Sequence, residues 1–212
     1  MQSNFYTSSI GRKVIMAATG LFLMAFLGVH LALNATLLLD EGGLLFDRTA
    51  DLFRQNWGLH LLEILVLAGF LVHIGQGVAL TLDNRSKRST PYAVSSGLAI
   101  EPARSMGWLG AFILAFLVLH LYQFWLPNLL GTRSENLSQL MRSTMSQWWV
   151  LAIYLLGCLA VAAHLWHGWR SATITLGLTD RSRQLLSAIG ISAAIGLPLG
   201  LAAMAIVIFL KS

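Results

Sequence analysis

The chain has 212 residues, 56% of them hydrophobic and only 11% charged, with a formal net charge of +5 and a mean hydropathy of +0.69. A soluble domain carries about 25% charged residues to keep its surface in water. The deficit excludes an ordinary soluble globule, a disordered chain and, despite the basic balance, a nucleic-acid binder.

The first thirteen residues are polar and end in Ser8-Ser9-Ile10-Gly11-Arg12-Lys13. The apolar run that follows, Val14–Leu39, is longer than a signal-peptide core and lacks a small-residue cleavage site, so it is expected to persist as a span. Four more runs follow, at Trp57–Leu82, Met106–Leu130, Gln147–Ala172 and Leu185–Leu210. Each holds about 24–26 residues, and at 1.5 Å per residue about 20 suffice to cross the hydrocarbon of a bilayer. Strand-like alternation is absent. The expectation is an all-α integral membrane bundle of five transmembrane helices, a single domain over residues 1–212, with loops between the spans.

Lys and Arg distribute unevenly between the two sides. The N-terminal tail (Arg12, Lys13), the second loop (Arg85, Lys87, Arg88, Arg104) and the fourth loop with its flank (Arg170, Arg181, Arg183) hold nine. The first loop (Arg48, Arg54), the third (Arg133, Arg142) and Lys211 hold five. The positive-inside rule therefore directs the N-terminus to the cytoplasm and the C-terminus to the far side. Trp57, Trp108, Trp125, Trp148, Trp149 and Trp169 fall near span ends, as an interfacial belt requires.

Four consecutive spans carry histidine: His30, His73 (with His60 at the entrance of the same span), His120, and His164 with His167. Ionisable groups at such depth are costly and mark function. Counted from the cytoplasmic span ends, His30 lies ~24 Å deep and His120 ~21 Å, whereas His73 and His164 lie ~12–14 Å deep. The result is an outer pair, His30 with His120, and an inner pair, His73 with His164, offset by on the order of 10 Å. Two axial pairs at two levels describe two bis-histidine b haems. Gly28, Gly69, Gly75, Gly77 and Gly168 offer room for flat macrocycles between helices. His167 is on roughly the same face as His164 but nearer the cytoplasm, where it suits a propionate, as do Arg170, Arg85 and Arg88. On the outer side Asn34, His60, Gln123 and Gln147 are expected near the outer haem. Glu63, three residues after His60, reads as a proton relay, a quinone contact or an interfacial carboxylate. Cys158 is the only cysteine, so no iron–sulfur cluster can be held by cysteines of this chain.

In order and spacing, several strings resemble the five-helix, di-haem cytochrome b membrane anchor of bacterial succinate dehydrogenases and fumarate reductases. They are Ser8-Ser9-Ile10-Gly11-Arg12-Lys13 with Met16-Ala17-Ala18-Thr19-Gly20, His30-Leu31-Ala32-Leu33-Asn34, His73, His120-Leu121-Tyr122-Gln123-Phe124-Trp125, and His164-Leu165-Trp166-His167-Gly168. The resemblance covers essentially the whole chain. It implies His30 and His120 on a distal haem b, His73 and His164 on a proximal one, and His164 as the ligand in preference to His167. Some fumarate reductases have a glutamate where this chain has Ala162, so a proton route through that position is not expected.

The resemblance also implies a bacterial cytoplasmic (inner) membrane and two soluble partners on the cytoplasmic face, a flavoprotein and an iron–sulfur subunit, in a complex that can oligomerise further. Electrons would pass from succinate through those partners to menaquinone or another quinone. Its quinone site would lie near the outer haem, with Asn34, His60, Glu63 and Gln123 as candidates. Two other readings stay open on the sequence: a di-haem cytochrome b of a quinone-linked hydrogenase or formate dehydrogenase, and a haem-free membrane transporter.

Overall fold

In the computed structural model, residues 8–86, 102–132, 136–177 and 180–212 are described. Lys87, Arg88 and Arg133, used above to orient the chain, lie outside them, as do the side chains of Arg104, Arg181 and Arg183.

The described residues are almost entirely helical, without strands. Helix α1 (Ser9–Ala35) begins where the Ser8 hydroxyl accepts a hydrogen bond from Gly11 N–H at 3.0 Å, so a polar residue caps an otherwise apolar rod. It is followed by α2 (Leu44–Gln55), α3 (Trp57–Ser86), α4 (Pro102–His120), α5 (Leu126–Leu130), α6 (Leu137–Met145), α7 (Trp148–Thr175) and α8 (Asp180–Lys211). Five segments are long and apolar enough to span a membrane: Ile10–Leu38, Trp57–Ser86, Met106–Leu130, Trp148–Thr175 and Leu186–Lys211. These are the five runs expected from the sequence, with ends shifted by a few residues. Large apolar side chains such as Leu71 (73% exposed) and Val118 (59%) point outward, as lipid-facing residues do.

The third span is not a uniform helix. Between α4 and α5, Leu121–Trp125 forms a π turn in which Leu126 N–H bonds to Leu121 C=O. Pro127 supplies the cause. It has no N–H for the carbonyl of Gln123, and its ring would collide with that carbonyl in a regular helix, so the backbone widens by one residue.

α1 packs on α3, α7 and α8, α7 on α1, α4 and α8, and α3 on α4. Four helices thus form a ring in the order α1, α3, α4, α7, and α8 lies along the α1–α7 edge. α1 and α4 are one diagonal of this ring; α3 and α7 are the other.

Two stretches read as loops are partly helical. α2 and α6 pack on each other at one end of the bundle, the capped end. Asp40 begins α2 by accepting Leu44 N–H and Leu45 N–H, each at 2.9 Å. These backbone donors, Leu45 first, hold its carboxyl below the usual carboxylate range. Asp47 of α2 in turn accepts Ser138 N–H at 2.9 Å and the Ser138 hydroxyl at 2.6 Å, so one short helix caps the start of the other. Below them lies the best-packed apolar cluster, including Leu37, Phe46, Phe124, Met145, Val150 and Ile208. At the opposite end, Arg12 of α1 and Asp83 of α3 form an ion pair at 2.8 Å.

Candidate functional site

The diagonals of the ring carry the histidines. His30 of α1 and His120 of α4 face each other with ring centroids 5.7 Å apart and planes at 82°. His73 of α3 and His164 of α7 do the same at 6.1 Å and 78°. The pairs arranged above by depth therefore meet in the middle of the bundle.

Their separation along the bundle can be read from cross-helix contacts. Thr19 of α1 lies level with His73, its hydroxyl oxygen 3.1 Å from His73 Nδ1. His30 is eleven residues further along the same helix, a rise of ~16 Å. Tyr154 of α7 lies level with His120, its hydroxyl 3.4 Å from His120 Nδ1; His164 is ten residues further, ~15 Å. The offset is therefore ~15 Å, larger than the ~10 Å obtained from span ends.

The pair near the capped end sits in an aromatic box. Phe116 stacks on His120 at 6.2 Å, and Phe124 and Tyr154 lie at 5.6 and 6.0 Å from it. Phe26 flanks His30 at 5.7 Å. Tyr154 donates its hydroxyl proton to Gln123 Oε1 at 2.7 Å. Asn34 is buried beside His30 and donates to that residue's own carbonyl at 2.8 Å.

The pair at the other level is held differently. His73 rests against the α1 backbone at Gly20, where a Cβ would come within 3.3 Å of its Cε1. His164 Nδ1 is buried with no hydrogen-bond partner. His167 donates from Nδ1 to Ala163 C=O at 2.9 Å, within its own helix, and Arg170 is exposed one turn further on. Of the two histidines on α7, His164 is the one facing His73. Nothing lies within 4 Å of a Cβ added at Gly168, one turn from His164 on the same face, whereas Gly75, equally open, is exposed on the outer face of α3, away from His73. Gly69 is not open: the Phe22 ring fills its place, so this glycine serves α1–α3 contact rather than room for a macrocycle.

The four quinone-site candidates do not form one site. His60 and Glu63 share a cleft of about 380 Å³ with Arg54 and Asn128. There His60 Nδ1 lies 3.2 Å from Glu63 Oε2, His60 Nε2 donates to Arg54 C=O at 2.9 Å, and the Trp125 indole donates to Glu63 Oε1. Gln123 lines a separate cavity of about 490 Å³, bounded also by Tyr122, Ser143, Thr144, Gln147 and Trp149, and among the described residues no charged side chain lines it. Asn34 lines neither. The indoles also divide: Trp57, Trp108 and Trp148 are widely exposed, as belt residues should be, whereas Trp125 is engaged by Glu63 and Trp169 packs into the notch at Gly190.

Thr19 and Tyr154 were not singled out from the sequence. A neutral hydroxyl on an apolar helix carries no charge signal; each lies on the helix next in the ring to that of the histidine it meets. Comparison with family models, curated proteins and solved structures finds no match for this chain.

Proposed function

We propose that this chain is a di-haem cytochrome b membrane anchor of a succinate:quinone oxidoreductase in a bacterial cytoplasmic membrane. The observation that carries the reading is the double pairing of histidines across the two diagonals of one bundle. Two imidazoles on opposite sides of an iron, each bonded at about 2.0 Å, have ring centroids about 6 Å apart. The observed 5.7 and 6.1 Å fit that geometry. The open space beside Gly168, one turn from His164 on the same face of α7, fits it as well.

His30 and His120 would hold the outer haem and His73 and His164 the inner one. Haem, when bound, supplies one-electron steps between a two-electron donor and quinone. His167 Nε2 and Arg170, one to two turns beyond His164, are available to the inner haem's propionates. The flavin and iron–sulfur clusters would belong to partner subunits docked at the cytoplasmic end, since this chain has one cysteine. Quinone takes up two electrons and two protons on reduction. Its neutral carbonyl head suits the amides and hydroxyls that Gln123, Gln147, Ser143 and Thr144 offer in their cavity, where Gln123 leads through Tyr154 to His120. His60 and Glu63, with a charged cleft of their own, are placed to hold a proton.

The test is the purified complex. Succinate should reduce a b-type haem, two per copy of this chain, in preparations containing a flavoprotein and an iron–sulfur protein. Reduction by hydrogen or formate and not by succinate would overturn the succinate assignment. For the quinone cavity, Gln123→Leu should raise KM for quinone several-fold while succinate-driven dye reduction stays unchanged.

A further inference from the structure

Thr19 is bonded on two sides. Its hydroxyl oxygen lies 2.8 Å from Ile15 C=O, one turn back on α1, and 3.1 Å from His73 Nδ1 on α3. A threonine hydroxyl has one proton to give. Two carbonyls that can only accept, Ile15 C=O and Met16 C=O at 3.2 Å, face that hydroxyl, and Ile15 is nearer to it than His73 is; with the proton on the shorter bond, the same oxygen is left to accept from His73. The hydrogen on the His73 ring then sits on Nδ1, which leaves the lone pair on Nε2. Gly20, the next residue, completes the seat, because a side chain there would press on His73 Cε1.

We propose that Thr19 is a positioning residue for His73, fixing the ring's tautomer so that Nε2 presents its lone pair across the bundle toward His164. The inference rests on the di-haem reading and goes beyond it, by giving one haem level a closer anchor than the other, where Asn34 Nδ2 stands 3.4 Å from the ring nitrogens of His30. His164 has no partner on Nδ1. At the other level, Tyr154 gives its proton to Gln123 at 2.7 Å and stands 3.4 Å from His120 Nδ1, a longer and weaker contact. An acceptor on the far nitrogen makes an imidazole a stronger donor to iron and favours the oxidised metal; losing such a partner typically costs 10–100-fold in metal affinity.

The experiment compares the purified wild-type complex with Thr19→Val, which keeps the shape and removes the acceptor, and Thr19→Ser, which keeps the hydroxyl. Redox titration followed at the haem bands reads the two midpoint potentials separately, and haem loss to a scavenging apoprotein reads retention. Thr19→Val is expected to raise the potential of one haem only and to speed that haem's loss at least tenfold. Thr19→Ser should stay close to wild type. The haem assigned to the unaffected potential must be the one abolished by His30→Ala. Thr19→Ala is read in the same way where Thr19→Val does not assemble. Unchanged potentials and retention in Thr19→Val or Thr19→Ala overturn the proposal, as does a Thr19→Ser shift as large as that of Thr19→Val. Both results leave the di-haem reading standing. A wild-type complex without b haem removes that reading and this one together.

Discussion

A histidine in hydrocarbon needs a partner, and the four paired here find one another across the middle of the bundle rather than on adjacent helices. The division into pairs was legible in the sequence because depth along a helix is a count of residues. The distance between levels was not, because that count starts from span ends, and the ends are the least certain part of an apolar run. What surrounds the rings was also hidden: nothing in the sequence marks Thr19, Tyr154 or Phe116 as neighbours of histidines 34 to 54 residues or a single turn away. At this scale, His30→Ala and His164→Ala should each remove one haem and leave the other, measured as haem per chain. His167→Ala should leave both, since its ring faces its own helix at Nδ1 and does not oppose His73. Retention of both haems in His164→Ala would transfer the ligand role to His167.

At the scale of elements, the five spans were readable from length and apolarity alone. The short amphipathic helices α2 and α6 were not, because a search for span-length runs passes over them and the contact that joins them is remote in sequence. Asp47 and Ser138 are 91 residues apart in the chain. Asp47→Ala should remove the acceptor for Ser138 in the first turn of α6, leaving the Asn136–Gln139 capping box, at a cost of about 1 kcal/mol. Hydrogen exchange of the α6 amides should then quicken about fivefold, with α7 unchanged. The π turn was legible in part, through Pro127, but the consequence was not: the widened turn is where the third span sends Gln123 to Tyr154 and Trp125 to Glu63. Glycine acts at this scale too. A Cβ on Gly157 would stand 2.7 Å from the Phe116 ring, which stacks on His120. Gly157→Ala should therefore lower stability by roughly 1–3 kcal/mol through overpacking. The spectrum of the haem proposed for His30 and His120 should change while the other keeps its own, read by low-temperature difference spectra, with the stability loss read by thermal denaturation.

The whole molecule has two unlike ends. One is closed by α2 and α6 over an apolar cluster and carries both polar cavities; the other bears the Arg12–Asp83 pair and the basic flanks. With the basic end in the cytoplasm, the inner histidine pair lies toward the proposed iron–sulfur partner and the outer pair toward the proposed quinone cavity. Under the proposed function, electrons would cross the ~15 Å between levels from the partner-facing pair to the pair beside the quinone cavity. This architecture has one decisive test. A reduced-minus-oxidised spectrum of the purified complex, with succinate as reductant and haem counted per copy of this chain, should give a b-type band and two haems. A complex that assembles intact and contains no b haem would contradict the account at its centre.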